Sequence, residues 1–341
     1  MTTRIESTPD QIDAAARAAA AAAETFARAP AATRSALLRA LATGLEADRD
    51  ALVKLADEES RLGSARLSGE IDRTAFQLRG FADQVDAGVP YTITDDPAIA
   101  GAPPAGRPHL TRVRVPVGAV AMFAASNFPF AFSVLGGDTA SALAAGCPVV
   151  VKAHPGHPRL SRAVALIAER AVTAQGLPAG VFGFVEGASV EVGVGLVRHP
   201  MIDAVAFTGS VRGGVALWRE ANARPRPISF YGELGSINPI VALPAALQAH
   251  GAALATTLAG SITLGCGQFC TSPGVVIVRD DAASRAFVQQ LGAALATATP
   301  HSMLHDGIRA GFDAGITRVQ GHAGVQTLVA PPHAEGAPRA R

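Results

Sequence analysis

An α/β fold, with a doubly wound parallel sheet followed by a second α/β unit, is what the sequence predicts, and three observations predict it. After Gly118, short uninterrupted apolar runs alternate with helical segments: Ala119 to Phe123, Val149 to Lys152, Val181 to Val185, Ala204 to Phe207 and Ile228 to Tyr231. Such runs bounded by turns are the mark of strands buried on both faces, and their alternation with helices implies right-handed βαβ units. The first ninety residues carry helical spacing instead, and with 49% hydrophobic and 17% charged residues the 341-residue chain can bury more than one core.

Taken in order, Thr8-Pro9-Asp10-Gln11 opens a helix, with Thr8 as cap, Pro9 at the first position and Gln11 closing a capping box, and that helix should stop before Pro30. Leu37, Leu38, Leu41 and Leu45, then Leu67, Ile71, Leu78 and Val85, recur at helical spacing. Asp95 to Pro108 reads as a loop, and Arg112 to Val115 alternates like an exposed strand. After Gly235, Leu247 to Leu264 reads as a helix, Val275 to Val278 as a strand, and Ala282 to Ala298 and Asp306 to Gln320 as helices. The tail from Pro331 has no periodicity and reads as disordered.

A net charge of +1 with no basic stripe argues against nucleic acid, and no stretch reads as a signal peptide or membrane span. Cys147, Cys266 and Cys270 are odd in number and lack metal-ligand spacing, which points to a reducing cytoplasm and to no metal. His301 and His305 lack the Glu of a zinc motif and read as surface residues.

In a doubly wound sheet ligands bind at the carboxyl ends of the strands, so the residues after each run are the candidates. Asn127, in Ser126-Asn127-Phe128-Pro129, offers two uncharged donors for an oxyanion, or is a turn-forming Asn before Pro. Lys152 ends a strand where it could reach a ribose or phosphate, or is a solvated lysine. Phe207-Thr208-Gly209-Ser210, with Gly213 beyond, joins a strand to a helix whose free N–H groups suit an anion. Glu233 is flanked by small and apolar neighbours, where partial burial would raise its pKa toward that of a general base; an exposed loop Glu is the alternative. Cys270, between Gly265, Gly267 and a Ser-Pro-Gly exit, is either a nucleophile or one more buried small residue.

The order of these motifs, Ser-Asn-Phe-Pro, a strand-ending Lys, Phe-Thr-Gly-Ser, Glu-Leu-Gly and Gly-Gln-x-Cys, resembles that of the NAD(P)-dependent aldehyde dehydrogenase superfamily from about residue 8 to 330. Glu233 to Pro239 and Gly267 to Thr271 look most like the branch of α-ketoglutaric semialdehyde (2,5-dioxovalerate) dehydrogenases and NADP-dependent fatty aldehyde dehydrogenases. The resemblance implies a Rossmann-type cofactor domain over residues 1–106 and 118–234, an oligomerisation arm at 107–117 and a catalytic domain over 235–330, ahead of the tail at 331–341. It implies that Cys270 attacks the aldehyde, that Asn127 and the Cys270 N–H hold the oxyanion, and that Glu233 activates water against the thioester. Lys152, His154, Thr208, Gly209, Ser210 and Gly213 would contact the cofactor. Relatives that prefer NAD commonly carry Glu three residues after the Lys; here Pro155 stands there, with His154, His157 and Arg159 nearby, so NADP is expected, with NAD possible.

The implied partners are a small aldehyde and further copies of the chain, with no nucleic acid or membrane. In the family the catalytic domain continues into a Glu-x-Phe-Gly-Pro segment, which does not occur here. The expectation is therefore an incomplete, C-terminally truncated catalytic domain with little or no dehydrogenase activity in the chain as given. The rival readings are a cofactor-independent thioesterase using Cys270 and Glu233, and a remnant that binds nucleotide or a partner subunit.

Overall fold

A computed structural model describes residues 5–299 and 302–329. The expected disorder of residues 331–341 and the reading of His301 lie outside those residues. The chain divides into two compact units between Leu234 and Gly235.

The first unit opens with helices α1 (Pro9–Ala27), α2 (Ala31–Ala47), α3 (Arg49–Ser60) and α4 (Ser64–Asp86). The capping box at Thr8 forms in full: Gln11 N donates to Thr8 Oγ1 at 3.3 Å and Thr8 N to Gln11 Oε1 at 2.8 Å. Strands β1 (Ile93–Asp96) and β2 (Leu110–Val113) pair antiparallel as an exposed ribbon. The sequence showed only the second of them, because β1 ends in Asp95-Asp96 and its composition is that of a loop.

Then come β3 (Val120–Phe123), α5 (Gly137–Ala144), β4 (Val149–Lys152), α6 (Pro158–Ala174), β5 (Phe182–Val185), α7 (Val190–Arg198), β6 (Ala204–Thr208), α8 (Val211–Asn222) and β7 (Ser229–Glu233). The five strands are parallel in the order β5-β4-β3-β6-β7. Strand order therefore reverses at β3, with β4 to one side and β6 to the other. At such a switch point the loops leaving adjacent strands diverge to opposite faces and leave a crevice at the carboxyl ends. On one face Ala119, Ala121, Phe123, Val150 and Val205 pack against Ile12, Ala16 and Ala19 of α1 and against α7 and α8. Val120, Met122, Val149 and Val151 alternate with them and are equally buried, which is why these runs read as continuously apolar.

The second unit has β8 (Pro239–Val241), α9 (Pro244–Thr263), β9 (Val275–Ile277), α10 (Ala282–Ala296) and α11 (Asp306–Gln320). The pair β8 and β9 is parallel, with α9 as the crossover. Strand β8 was invisible in the sequence, being three residues of which the first is a proline. Helix α9 starts three residues before Leu247 because Pro244, with φ already set, takes the first helical position. Its small core gathers Leu247, Ala255 and Phe287. No helix among the described residues is long and apolar enough to cross a membrane.

Candidate active site

In the first unit Asn127, Lys152, Thr208 and Glu233 all stand at the carboxyl end of the parallel sheet. Asn127, half-buried, follows β3, and its backbone carbonyl accepts from Arg66 Nη2 of α4 at 2.6 Å. The chain just beyond is anchored by a residue that the sequence reading passed over. Glu70 of α4 is 5% exposed, and its Oε1 accepts from Phe130 N at 2.8 Å and Ala131 N at 2.9 Å. Burial raises the Glu70 pKa against the pull of those N–H groups and of Arg66 and Arg73, and its Oε2 is buried without a hydrogen bond. The signal was present: Glu70 falls in the stripe of Leu67, Ile71, Thr74 and Leu78, where a carboxylate does not belong unless something pairs with it. Arg66 and Arg73 lie over the ring of Phe128, with Cζ at 5.2 and 5.3 Å from its centroid, and Arg73 is also 5.1 Å from that of Phe132.

Lys152 is not the solvated lysine left open by the sequence. It is 9% exposed, and its Nζ donates to Ala153 O at 3.0 Å and Gly187 O at 2.5 Å. Burial lowers its pKa to about 8, with Glu6 and Glu186 opposing. Two of the three ammonium donors are therefore committed to backbone.

Of the three neighbours expected to attract a phosphate, two do other work. His157 is buried, with Nδ1 3.0 Å from Ser161 Oγ and Nε2 3.0 Å from Ala125 O, and burial lowers its pKa. Arg159 is held by Glu58 and Glu59. His154 is half-buried, and its Nδ1 accepts from Gly156 N at 3.0 Å.

At the β6 to α8 junction Ser210 caps α8, its Oγ accepting from Gly213 N at 3.1 Å. Thr208 Oγ1 donates to Asp138 Oδ2 at 3.3 Å, and burial raises the Asp138 pKa. Gly209 and Gly213 both border the Phe207 ring, which a Cβ at either would meet at 2.9 and 3.3 Å. Ser210, Val211 and Arg212 are exposed, so the first turn of α8 presents its N–H groups to solvent.

Glu233 corrects an expectation. It is the last residue of β7 rather than a loop residue after it, and it is exposed, not partly buried. It shares this with its strand: β7 pairs only with β6, and four of its five residues are exposed.

In the second unit Cys270 is an exposed free thiol, which removes the alternative of a buried small residue. Three consecutive left-handed residues, Gly265, Cys266 and Gly267 (φ 56°, 61° and 71°), turn the chain into this loop. Two glycines adopt that conformation freely, while at Cys266 it is strained. The loop is then pinned by hydrogen bonds that sequence reasoning missed. Cys270 O accepts from Ser236 Oγ and Asn238 Nδ2, both at 2.7 Å, and Asn238 Nδ2 also reaches Ser272 O at 2.9 Å. Gln268 braces the loop from within, donating from Nε2 to Gly265 O at 3.0 Å and accepting from Leu304 N at 3.0 Å. Cys266 is half-buried, and burial raises its thiol pKa. His305 is likewise no surface residue: half-buried, it caps α11 through Nδ1, which accepts from Ile308 N at 3.3 Å.

The aldehyde dehydrogenase family model matches residues 1–316. Among characterised proteins, α-ketoglutaric semialdehyde dehydrogenase 2 of Azospirillum brasilense is 46% identical over 299 residues, 88% of this chain and 57% of that protein. The α-ketoglutaric semialdehyde dehydrogenase of Acinetobacter baylyi is 40% identical over 323 residues, 95% of this chain and 61% of that one. The chain thus spans about three fifths of the length of these relatives. Among solved structures, an NADP dependent enzyme of E. coli superposes with a TM-score of 0.74 at 26% identity, covering 92% of this chain and 63% of that one.

Proposed function

The chain belongs to the aldehyde dehydrogenase family, and from that premise we propose that its protein oxidises an aldehyde, α-ketoglutaric semialdehyde, to the carboxylic acid through a thioester on Cys270. One observation carries the reading: Cys270, an exposed cysteine, stands on a loop whose backbone is fixed by Ser236 and Asn238. A nucleophile needs both an accessible sulfur and a defined direction of approach.

In this reading Cys270 Sγ bonds to the carbonyl carbon. The amide of Asn127 and the Cys270 N–H donate to the oxyanion that forms. When bound, NAD(P)⁺ supplies a hydride acceptor. Glu233, exposed at the edge of the sheet, takes a proton from the water that hydrolyses the thioester. The first turn of α8 fits a pyrophosphate, since Val211 and Arg212 are exposed there and Ser210 leaves their N–H groups to a ligand. We assign Thr208, Gly209, Ser210 and Gly213 to that end of the cofactor, and Lys152 and His154 to the adenosine side, where Lys152 has one donor left. The assignment of NADP rests on Pro155, which removes the carboxylate that would repel a 2′-phosphate; His157 and Arg159, each committed elsewhere, add nothing to it. Residues 107–117, which include the whole of the exposed β2, we read as an arm that pairs with further copies, since Leu110, Val113, Val115 and Val117 are all exposed.

The test is a sensitive reduced-nicotinamide measurement with NADP⁺ and α-ketoglutaric semialdehyde, able to register a single turnover. Even slow reduction supports the reading if Cys270→Ala abolishes it and Glu233→Gln gives one equivalent and then stalls. Reduction that persists in Cys270→Ala, or steady turnover in Glu233→Gln, defeats it.

A further inference from the structure

Asp138, Thr208 and Glu233 meet on one face of the parallel sheet, at its carboxyl end. Val205 and Phe207 of β6 and Phe230 of β7 belong to the face packed on α1, α7 and α8. Alternation along each strand therefore turns Thr208 and Glu233 to the opposite face. The two are register partners across β6 and β7, on strands about 4.8 Å apart. Asp138, in the first turn of α5, completes the group, since Thr208 Oγ1 donates to its Oδ2 at 3.3 Å.

Nothing in the mechanism above uses Asp138. It is half-buried, and burial raises its pKa; the Thr208 bond opposes that rise and the Glu233 charge adds to it. Helices α2 and α4 pack on α5, but their buried charges are spent elsewhere. Arg34 donates to Ala27 O and Ala29 O, and Glu70 accepts from Phe130 N and Ala131 N. Among the described residues the charge that acts on Asp138 is that of Glu233. Two carboxylates so linked compete for one proton, and desolvation makes Asp138 hold it more readily than a carboxylate in water does. The hydroxyl between them is both donor and acceptor, so it can take a proton on one side while giving its own to the other.

We propose that Asp138 receives, through the Thr208 hydroxyl, the proton that Glu233 takes from water, and so returns Glu233 to a carboxylate for the next turnover. The proposal rests on the reading of Glu233 as the base of thioester hydrolysis. In the transfer the Glu233 O–H bond breaks as a new O–H bond forms on Thr208 Oγ1, whose own hydrogen passes to Asp138 Oδ2. Asp138 then releases the proton to solvent, and no oxidant or reductant takes part.

The test uses p-nitrophenyl acetate, which acylates a thiol directly, needs no cofactor and leaves only hydrolysis to follow. The parent is compared with Asp138→Asn, Thr208→Val and Thr208→Ser. We expect steady hydrolysis to fall about tenfold in Asp138→Asn and in Thr208→Val, a modest part of what proton transfer by a side chain contributes. Thr208→Ser, which keeps the hydroxyl, should recover most of what Thr208→Val loses. Formate, a small carboxylate, should restore part of the rate in Asp138→Asn, a response that a merely structural Asp138 would not give. Carboxyl-carbon NMR of aspartate-labelled protein, with Asp138 assigned by its loss in Asp138→Asn, reads the link without turnover. The Asp138 midpoint should lie above the ordinary carboxylate range and drop in Glu233→Gln. A parental hydrolysis rate in Asp138→Asn or Thr208→Val, a loss that formate leaves untouched, or an Asp138 midpoint that ignores Glu233→Gln would overturn the proposal. A parent that p-nitrophenyl acetate does not acylate would count against Cys270 as the nucleophile alone, and the titration would still decide the link.

Discussion

The loops that carry Asn127 and Cys270 are secured by opposite means. Asn127 follows a strand buried on both faces, and the chain after it hangs from Glu70, a carboxylate almost wholly out of water. Cys270 sits in a unit whose strands are largely exposed and whose core gathers around Leu247, Ala255 and Phe287. There the fixing groups, Ser236 and Asn238, are themselves near solvent. A hydrogen bond shielded from water is harder to exchange for one to solvent, so the first arrangement should be rigid and the second easily opened. An oxyanion donor gains from rigidity, whereas a nucleophile that must attack, carry an acyl group and release it gains from some freedom.

The contrast breaks most visibly in the cores. Phe26 of α1 is completely buried, and Phe26→Ala should destabilise the first unit by about 3–5 kcal/mol. Ile277 of β9 is 50% exposed, and Ile277→Ala should cost about 1 kcal/mol or less. Urea unfolding of each variant, followed alongside amide exchange of β4 and β9, checks both values. Comparable losses would mean that the second unit is as well packed as the first.

Glu70 tests the rigid side. Glu70→Ala leaves Phe130 N and Ala131 N buried without an acceptor, a loss on the order of 3 kcal/mol. The pH dependence has a definite sign. The folded-state pKa of Glu70 is raised, so its contribution to stability is fully present below the ordinary carboxylate range and is lost as pH rises through the folded value. Glu70→Gln keeps an acceptor but cannot ionise, and its unfolding free energy should lack that decline relative to the parent. Parallel curves for the two proteins would show that Glu70 is not desolvated.

Lys152 acts in the opposite direction and more gently. Its folded pKa, lowered to about 8, means that the unfolded chain binds the proton more tightly. The stability this group contributes is present above its unfolded pKa and falls as pH drops from there through about 8, by up to about 3 kcal/mol in total. Lys152→Met, compared with the parent by urea unfolding between pH 8 and pH 10, should show a flatter rise. A slope identical to the parent's would place the ammonium in water.

How much of this was legible follows the same division. The five parallel strands and the helices around them could be read because burial on both faces writes itself into the sequence as unbroken apolar runs. Strand β8 could not, since three residues, the first of them Pro239, carry no period. Exposure also escaped: Glu233 was read as following its strand, whereas it closes β7, a strand whose residues are mostly exposed, which no local pattern records. The burial of Lys152 and His157 escaped for a related reason. Lysine and histidine are commonly solvated, and only the three-dimensional fold brings Gly187 O to the one and Ala125 O and Ser161 to the other. Cys270 was singled out from its loop of glycines, yet the residues that hold that loop lie more than thirty positions earlier.

The smallest effect concerns that hold. Asn238 has φ 49°, a left-handed conformation that asparagine tolerates better than most side chains, and its amide alone reaches both Cys270 O and Ser272 O. Asn238→Gly preserves the backbone freedom and removes only the amide, whereas Asn238→Ala removes the amide and adds backbone strain. The glycine variant should therefore lose about 1 kcal/mol, and the alanine variant about 1 kcal/mol more. Because the bonded carbonyl belongs to Cys270 itself, both should also change how the thiol meets an electrophile. With iodoacetamide we expect alkylation of Cys270 to differ from the parent about equally in the two variants, while the alkylation of buried Cys147 stays slow in all three. If the glycine variant alkylates at the parental rate and only the alanine variant departs from it, backbone conformation rather than the amide holds the loop. The contrast between a side-chain-anchored Cys270 and a core-anchored Asn127 would then have to be redrawn.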